Sequence, residues 1–158
     1  MQPIIIPFTP NNLGRVIFEA QVMTGDRKSF NDVEFKLDSG SDFTTISCDD
    51  LTVLGYEWEY LKSCPHHNTQ ASTASEDLVL PLQYINNVSI KFDDRELQGC
   101  RVFFALGTKL RSLFGSDILK FFNREIDYDT GELRLIELKS KPILSEGENP
   151  IQIYLIES

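Results

Sequence analysis

The sequence predicts an all-β domain of barrel or sandwich type with two short helices. Three observations carry that prediction. About eight or nine short segments alternate apolar and polar residues, the period of a half-buried strand. Turn signals built on Gly, Asn and Asp punctuate them. Only two stretches carry helix-start chemistry, and both are short. The 158 residues suffice for one domain with a real core, so a single domain over residues 1–158 is expected.

In chain order, Ile4-Ile5-Ile6 is a short apolar strand with no obvious internal partner. Gly14–Met23 alternates as a strand should, and Thr24-Gly25-Asp26 is a turn. Val33–Leu37 puts Val33, Phe35 and Leu37 on one face, and Thr44–Ile46 is a short β-branched run. Ser47 to Asp50 has capping-box spacing, Leu51, Val53 and Leu54 follow, and Gly55 is a natural stop, which together predict a helix. Leu78–Ile85 and Val88–Phe92 flank Asn86-Asn87, a plausible two-residue hairpin turn, with Pro81 at an edge or bulge. Leu97–Leu106 reads as a strand broken by Gly99. Ser116–Phe122 suits a second helix, Ser116 capping it and Asp117 favourable in its first turn. Arg124–Tyr128 and Glu132–Leu138 are strands around Asp129-Thr130-Gly131. Residues 139–158 read as a C-terminal linker ending in an apolar strand, Ile151–Ile156.

Composition narrows the function classes. The net charge is −9, with 15 basic residues scattered among 24 acids, whereas following a phosphate backbone needs clustered Lys and Arg. No nucleic-acid partner is expected. Cys48, Cys64 and Cys100 are widely spaced and odd in number, which fits a reducing compartment better than a disulfide framework. The N-terminal MQPIIIPFTPNN lacks a basic region and is no signal peptide, and no run approaches a membrane span. A soluble cytoplasmic protein with no membrane partner is the expectation. Cys64-Pro65-His66-His67 reads as a loop with solvated histidines, since adjacent histidines rarely reach one ion and no second cluster exists. No metal and no cofactor are expected. Tyr56–Tyr60 reads as packing. With only these two histidines no Ser-His-Asp set can form, and no phosphate-cradling glycine loop occurs.

One stretch carries chemistry. In FKLDSGSDFTTIS, residues 35–47, an apolar run ends at Asp38, turns on Ser39-Gly40 and resumes as β-branched residues. Asp129-Thr130-Gly131 has nearly the same tripeptide, but it sits between two alternating strands of matched length, where a hairpin turn explains all three residues. After Asp38 no alternating partner strand returns. The loop instead presents a carboxylate from a rigid base, as catalytic loops do.

FKLDSGSDFTTIS resembles the active-site loop of the retropepsin-like aspartic proteases: hydrophobic residues, Asp-Thr/Ser-Gly-Ala/Ser, then Thr/Ser and an aliphatic pair. Leu113-Phe114-Gly115 before a short helix is similar to the family's second signature, with Phe114 where Leu is usual. Thr73-Ala74-Ser75 before LVLPLQYI is similar to the flap of bacterial members. The likeness runs from about Val16 to Leu138 and places Asp129-Thr130-Gly131 at an ordinary hairpin.

The resemblance implies a retropepsin-like closed β-barrel, the acid protease fold, with one or two short helices. It implies an aspartic endopeptidase acting on polypeptide substrates. Two close carboxylates cannot both ionise cheaply, so the pair shares a proton: one activates water and the other protonates the leaving group. One such Asp per chain implies a homodimer, Asp38 of each copy meeting on a two-fold axis. By the same resemblance Ser39 bonds across the axis, Gly40 lets an amide approach the carboxylate, and the Ser41 hydroxyl donates to it. The terminal strands would interleave in a dimer sheet or pack on their own barrel. The segment departs from retroviral flaps in having no Gly between Gly55 and Gly99, and Glu76 and Asp77 near a cleft would disfavour acidic substrates. Two other readings remain at this stage: a retropepsin-like dimerisation or peptide-binding module that does not cleave, and a β-sandwich binding domain with coincidental turns.

Overall fold

The computed structural model describes residues 2–10, 14–72, 79–107, 110–140, 142 and 149–156. Alternation becomes strands almost wherever it was strong. The order is β1 (Ile4–Pro7), β2 (Thr9–Pro10), β3 (Val16–Met23), β4 (Phe30–Leu37), α1 (Cys48–Val53), α2 (Trp58–Ser63), β5 (His66–Ser72), β6 (Val79–Phe92), β7 (Arg95–Phe104), β8 (Leu113–Phe114), α3 (Ser116–Leu119), β9 (Phe122–Asp127), β10 (Glu132–Glu137) and β11 (Gln152–Leu155). The larger, curled sheet runs β11-β7-β6-β3-β4-β8, with β2 beside β3 and β5 beside β6; the smaller runs β1-β10-β9. The paired strands are antiparallel except β4 and β8, which run parallel.

The core lies inside the curl. Val16, Phe18, Ala20 and Val22 of β3 and Val33 and Phe35 of β4 are buried, as period-two patterning requires. Phe114 is the hub, with its ring centroid 5.5 Å from Phe18, 5.7 Å from Phe35 and 5.9 Å from Phe92. Burying one such side chain stabilises by about 1.5–3 kcal/mol. A two-residue strand is thereby rooted in the molecule's centre.

Both terminal strands have partners in their own chain. β1 pairs with β10 in the register Ile4↔Leu135 and Ile6↔Leu133. Alternation turns Ile4 and Ile6 inward, each 2% exposed, and leaves Ile5 outside. β11 pairs with β7, from Gln152↔Gln98 to Leu155↔Arg95.

Four local expectations are corrected. Asn86-Asn87 is no hairpin turn, because β6 runs straight through it. Ile85 faces Val102 and Val88 faces Cys100, so β6 bulges there, with Asn87 at φ 59. Gly99 does not break β7 either. At φ +74 it takes up the opposite shift between Val88↔Cys100 and Ile90↔Leu97. The turn falls at Asp93-Asp94, where Phe92 faces Arg95 and Asp93 has φ 52. Asn and Asp tolerate the left-handed region alike, and the pairing of β6 with β3, β5 and β7 decided which of them turned.

The second correction is the helix count, three among the described residues instead of one or two. α1 forms as expected, with Asp50 N donating to Ser47 Oγ at 3.1 Å and Gly55 at φ +86. α2 gave no start signal, since Glu57 caps it with no side-chain bond and it buries only Leu61. Tyr56 stacks on Tyr60 of this helix at 5.8 Å, but Trp58 and Tyr60 are exposed, so the aromatic cluster packs only in part. Third, α3 is only four residues long, with Gly115 at its N-cap and Ser116 inside it, and Phe122 already belongs to β9. Fourth, His66 and His67 lie in strand β5, not in a loop.

Candidate active site

β4 delivers Asp38 to the point where the sheet ends. Its last residues, Lys36 and Leu37, pair with Leu113 and Phe114 of β8. Asp38 N then donates to Phe114 O at 3.0 Å. The chain turns immediately: Ser41 N donates to Asp38 O at 3.1 Å, and Gly40 N donates to Asp38 Oδ1 at 3.1 Å. A Cβ at Gly40 would lie 3.4 Å from that same oxygen. Asp38 is half-buried, while Ser39 and Gly40 are exposed. The Ser41 hydroxyl does not serve the carboxylate. It donates to Phe43 O at 2.8 Å, along the chain that leaves the turn.

The Leu113-Phe114-Gly115 segment and Ser116 hold this loop from beneath. Ser116 N donates to Ser41 O at 2.8 Å. A Cβ on Gly115 would stand 2.5 Å from Phe43 O and 2.9 Å from Ser41 O, so only glycine fits. Leu113, Phe114 and Gly115 are thus brought together with Asp38, Ser39, Gly40 and Ser41. Thr45 completes the frame, exchanging N–H···O bonds with Leu113 at 2.9 and 3.0 Å. On its other side Ile46 N donates to Phe103 O and Phe103 N to Thr44 O, each at 2.9 Å. Beyond the loop, the Phe43 ring packs against Phe103 at 4.5 Å and against His67 of β5 at 5.0 Å. Thr73, Ala74 and Ser75, expected as the flap, lie outside the described residues.

A buried polar knot ties the Asp38 loop to the segment that begins at Gly115. Thr44 N and Thr44 Oγ1 donate to the Asp117 carboxylate at 3.0 and 2.6 Å. Ile118 N and Asn149 Nδ2 add bonds at 3.0 and 2.6 Å. The Thr44 hydroxyl in turn accepts from Gly115 N at 3.1 Å. Burial pushes the Asp117 carboxyl above the ordinary carboxylate range, against the opposing pull of the bonds from Thr44, Asn149 and Ile118. Four donors on one buried carboxylate are what its charge requires.

The other Asp-Thr-Gly is spent on a turn. Asp127 Oδ1 accepts from Asp129 N at 3.0 Å and Thr130 N at 3.2 Å, and Gly131 sits at φ +69 between β9 and β10. The Thr130 amide, before the others, holds the Asp127 carboxyl below its usual range. An open groove of about 930 Å³ runs between β1 and the outer faces of β3 and β4, and it contains no residue of the Asp38 loop. Among the described residues, no three His, Cys, Asp or Glu side chains are placed to hold a metal ion. Among them too, no helix is long and apolar enough to cross a membrane.

Among solved structures, the chain is similar to a retropepsin-like aspartic protease from Rickettsia conorii, with a TM-score of 0.57 and 22% identity over 85% of this chain and 89% of that one. The two chains share a fold. No family model matches the sequence, and no curated protein does. Sequence reasoning singled out the Asp38 loop and the Leu113-Phe114-Gly115 segment, which the structure brings side by side. It missed the knot. Asp117 reads locally as a first-turn helix charge, yet an acid inside SDILKFF, among Ile118, Leu119, Phe121 and Phe122, signals burial. Nothing local marked Asn149.

Proposed function

We propose that this protein is an aspartic endopeptidase that hydrolyses peptide bonds between two Asp38 carboxylates, one from each subunit of a homodimer. The observation that carries the reading is the Asp38 loop itself. A carboxylate leaves a rigid strand end, accepts the Gly40 amide, and stays half open to solvent above a second signature that only glycine can fill. Main-chain bonds at both ends hold it, which is the pre-organisation a reacting group needs. The β-rich fold shared with a retropepsin-like aspartic protease supports the same conclusion.

The chemistry needs two carboxylates in contact. The chain's other Asp-Thr-Gly is committed to the β9–β10 turn, so a second copy supplies the partner. Two such groups hold one proton between them and titrate as a unit. The ionised Asp38 takes a proton from water as the water oxygen attacks the scissile carbonyl to give a tetrahedral adduct; the protonated Asp38 then gives its proton to the amide nitrogen, the C–N bond breaks, and the adduct collapses to a carboxylic acid and a free amine. Ser39 is at the exposed tip, free to bond across the axis. The flap role belongs to the segment at 73–75. The isolated bridges of Thr45 to Leu113 of β8 and to Phe103 of β7 support reading the curled sheet as a closed barrel.

A peptide-library digest comparing the native protein with Asp38→Asn tests this. The native protein is expected to cleave and the variant not, with activity sedimenting as a dimer. Cleavage by both defeats the role of Asp38. Cleavage by neither defeats the enzyme reading in favour of a module that only binds or dimerises. An active monomer defeats the shared site.

A further inference from the structure

We propose that Asn149, in the segment after the last strand of the smaller sheet, is a positioning residue for the Asp38 loop. This rests on the reading of Asp38 as the catalytic carboxylate, but its structural half stands without it. Asn149 is 2% exposed. A side-chain amide is rarely buried so fully unless each of its atoms is satisfied, and here each is. Asn149 Oδ1 accepts from Arg101 N, and Nδ2 donates to Arg101 O at 2.9 Å. The same nitrogen donates to Asp117 Oδ2 at 2.6 Å. One side chain therefore grips the backbone of β7 on one side and the Asp117 carboxylate on the other.

The consequence follows bond by bond. Asp117 Oδ2, which Asn149 fixes, is the oxygen that accepts the Thr44 amide. Asp117 Oδ1 accepts the Thr44 hydroxyl, and that hydroxyl accepts the Gly115 amide. Gly115 lies against Ser41 O and Phe43 O, the two carbonyls that shape the Asp38 turn. Three hydrogen bonds thus lead from Asn149 through Asp117 and Thr44 to Gly115, which packs against the reactive loop. Ile151, 7% exposed, and the pairing of β11 with β7 anchor the segment just beyond it. The C-terminal segment is in this way part of the active-site scaffold and not an appendage to it.

Amide hydrogen exchange on two variants tests the inference. Asn149→Ala removes all three bonds. Asn149→Asp keeps the acceptor for the Arg101 amide and sets an oxygen against Asp117 in place of the donor. In both variants the Thr44 and Gly115 amides are expected to lose protection, while Ile6 and Leu133 in the smaller sheet keep theirs. The Arg101 amide is expected to stay protected only in Asn149→Asp, which also serves if the alanine variant fails to fold. Unchanged protection at Thr44 and Gly115, or an equal loss throughout the molecule, overturns the proposal. Where the native protein shows Asp38-dependent cleavage, kcat is expected to fall about a hundredfold in Asn149→Asp with KM little changed, since misplacement of a reacting group by about 1 Å costs that much. A rise in KM alone overturns the positioning role. Failure of cleavage in the native protein removes the proposed function and leaves the exchange result to decide the clamp.

Discussion

Replacing Gly115 by alanine tests the link between the two signatures most directly. The added Cβ would stand 2.5 Å from Phe43 O, 2.7 Å from Phe43 C and 2.9 Å from Ser41 O, whereas ordinary contact begins at 3.4 Å. All three neighbours are backbone atoms, so no side chain can swing aside. The segment must move by about 0.9 Å to relieve the closest contact, from the distances above. Overpacking of this kind costs about 1–3 kcal/mol. At about 2–4 °C per kcal/mol for a chain of this size, Tm is expected to fall by roughly 2–12 °C in a circular-dichroism melt. The displacement falls on the Ser41 and Phe43 carbonyls, beside Asp38. Cleavage by the folded variant is therefore expected to drop about a hundredfold, measured well below its Tm. Gly131→Ala is the control. Its Cβ would meet Phe8 O at 2.7 Å with φ at +69, far along the chain from the loop, so it is expected to lose stability and keep activity. A Gly115→Ala protein with native Tm and native rate would refute the reasoning.

Two further outcomes follow from the same packing. Because burial raises the Asp117 carboxyl, the folded protein keeps that proton to higher pH than the unfolded chain does. The associated stability is complete below the ordinary value of 3.8 and is lost as pH rises through the folded value. Urea midpoints of the native protein relative to Asp117→Asn are expected to decline over that window, and parallel curves would contradict the shift. Ile6→Ala empties a site 2% exposed in the smaller sheet and is expected to cost about 2–5 kcal/mol in urea unfolding, independent of protein concentration. A loss that vanishes on dilution would mean that β1 is buried by a partner subunit instead.

What was legible in the sequence was local. Period-two patterning told strands apart from the rest, and it put Ile4 and Ile6 on one face without saying what they faced. Ser47 and Gly55 bracketed α1 through bonds that span three or four residues. The short Asp-Ser-Gly turn at residues 38–40 was likewise visible, because a carboxylate, a turn residue and a glycine act on one another within a few bonds. α2 escaped for the converse reason: it has no side-chain cap bond, and only Leu61 is buried on it.

The tertiary structure decided everything that depended on what the chain met elsewhere. Asn86-Asn87 carries a turn signal in the sequence, yet the length over which β6 finds partners made it a bulge and put the corner at Asp93-Asp94. The two Asp-Thr/Ser-Gly copies differ little as strings; one closes a hairpin on Asp127, while the other rests on Gly115 and Ser116. The bonds that join Asp117 to Thr44, 73 residues away, and to Asn149, 32 residues away, are set by the path of the backbone. A residue's type states which bonds it can make; the fold alone determines which partner arrives within 3 Å to make them.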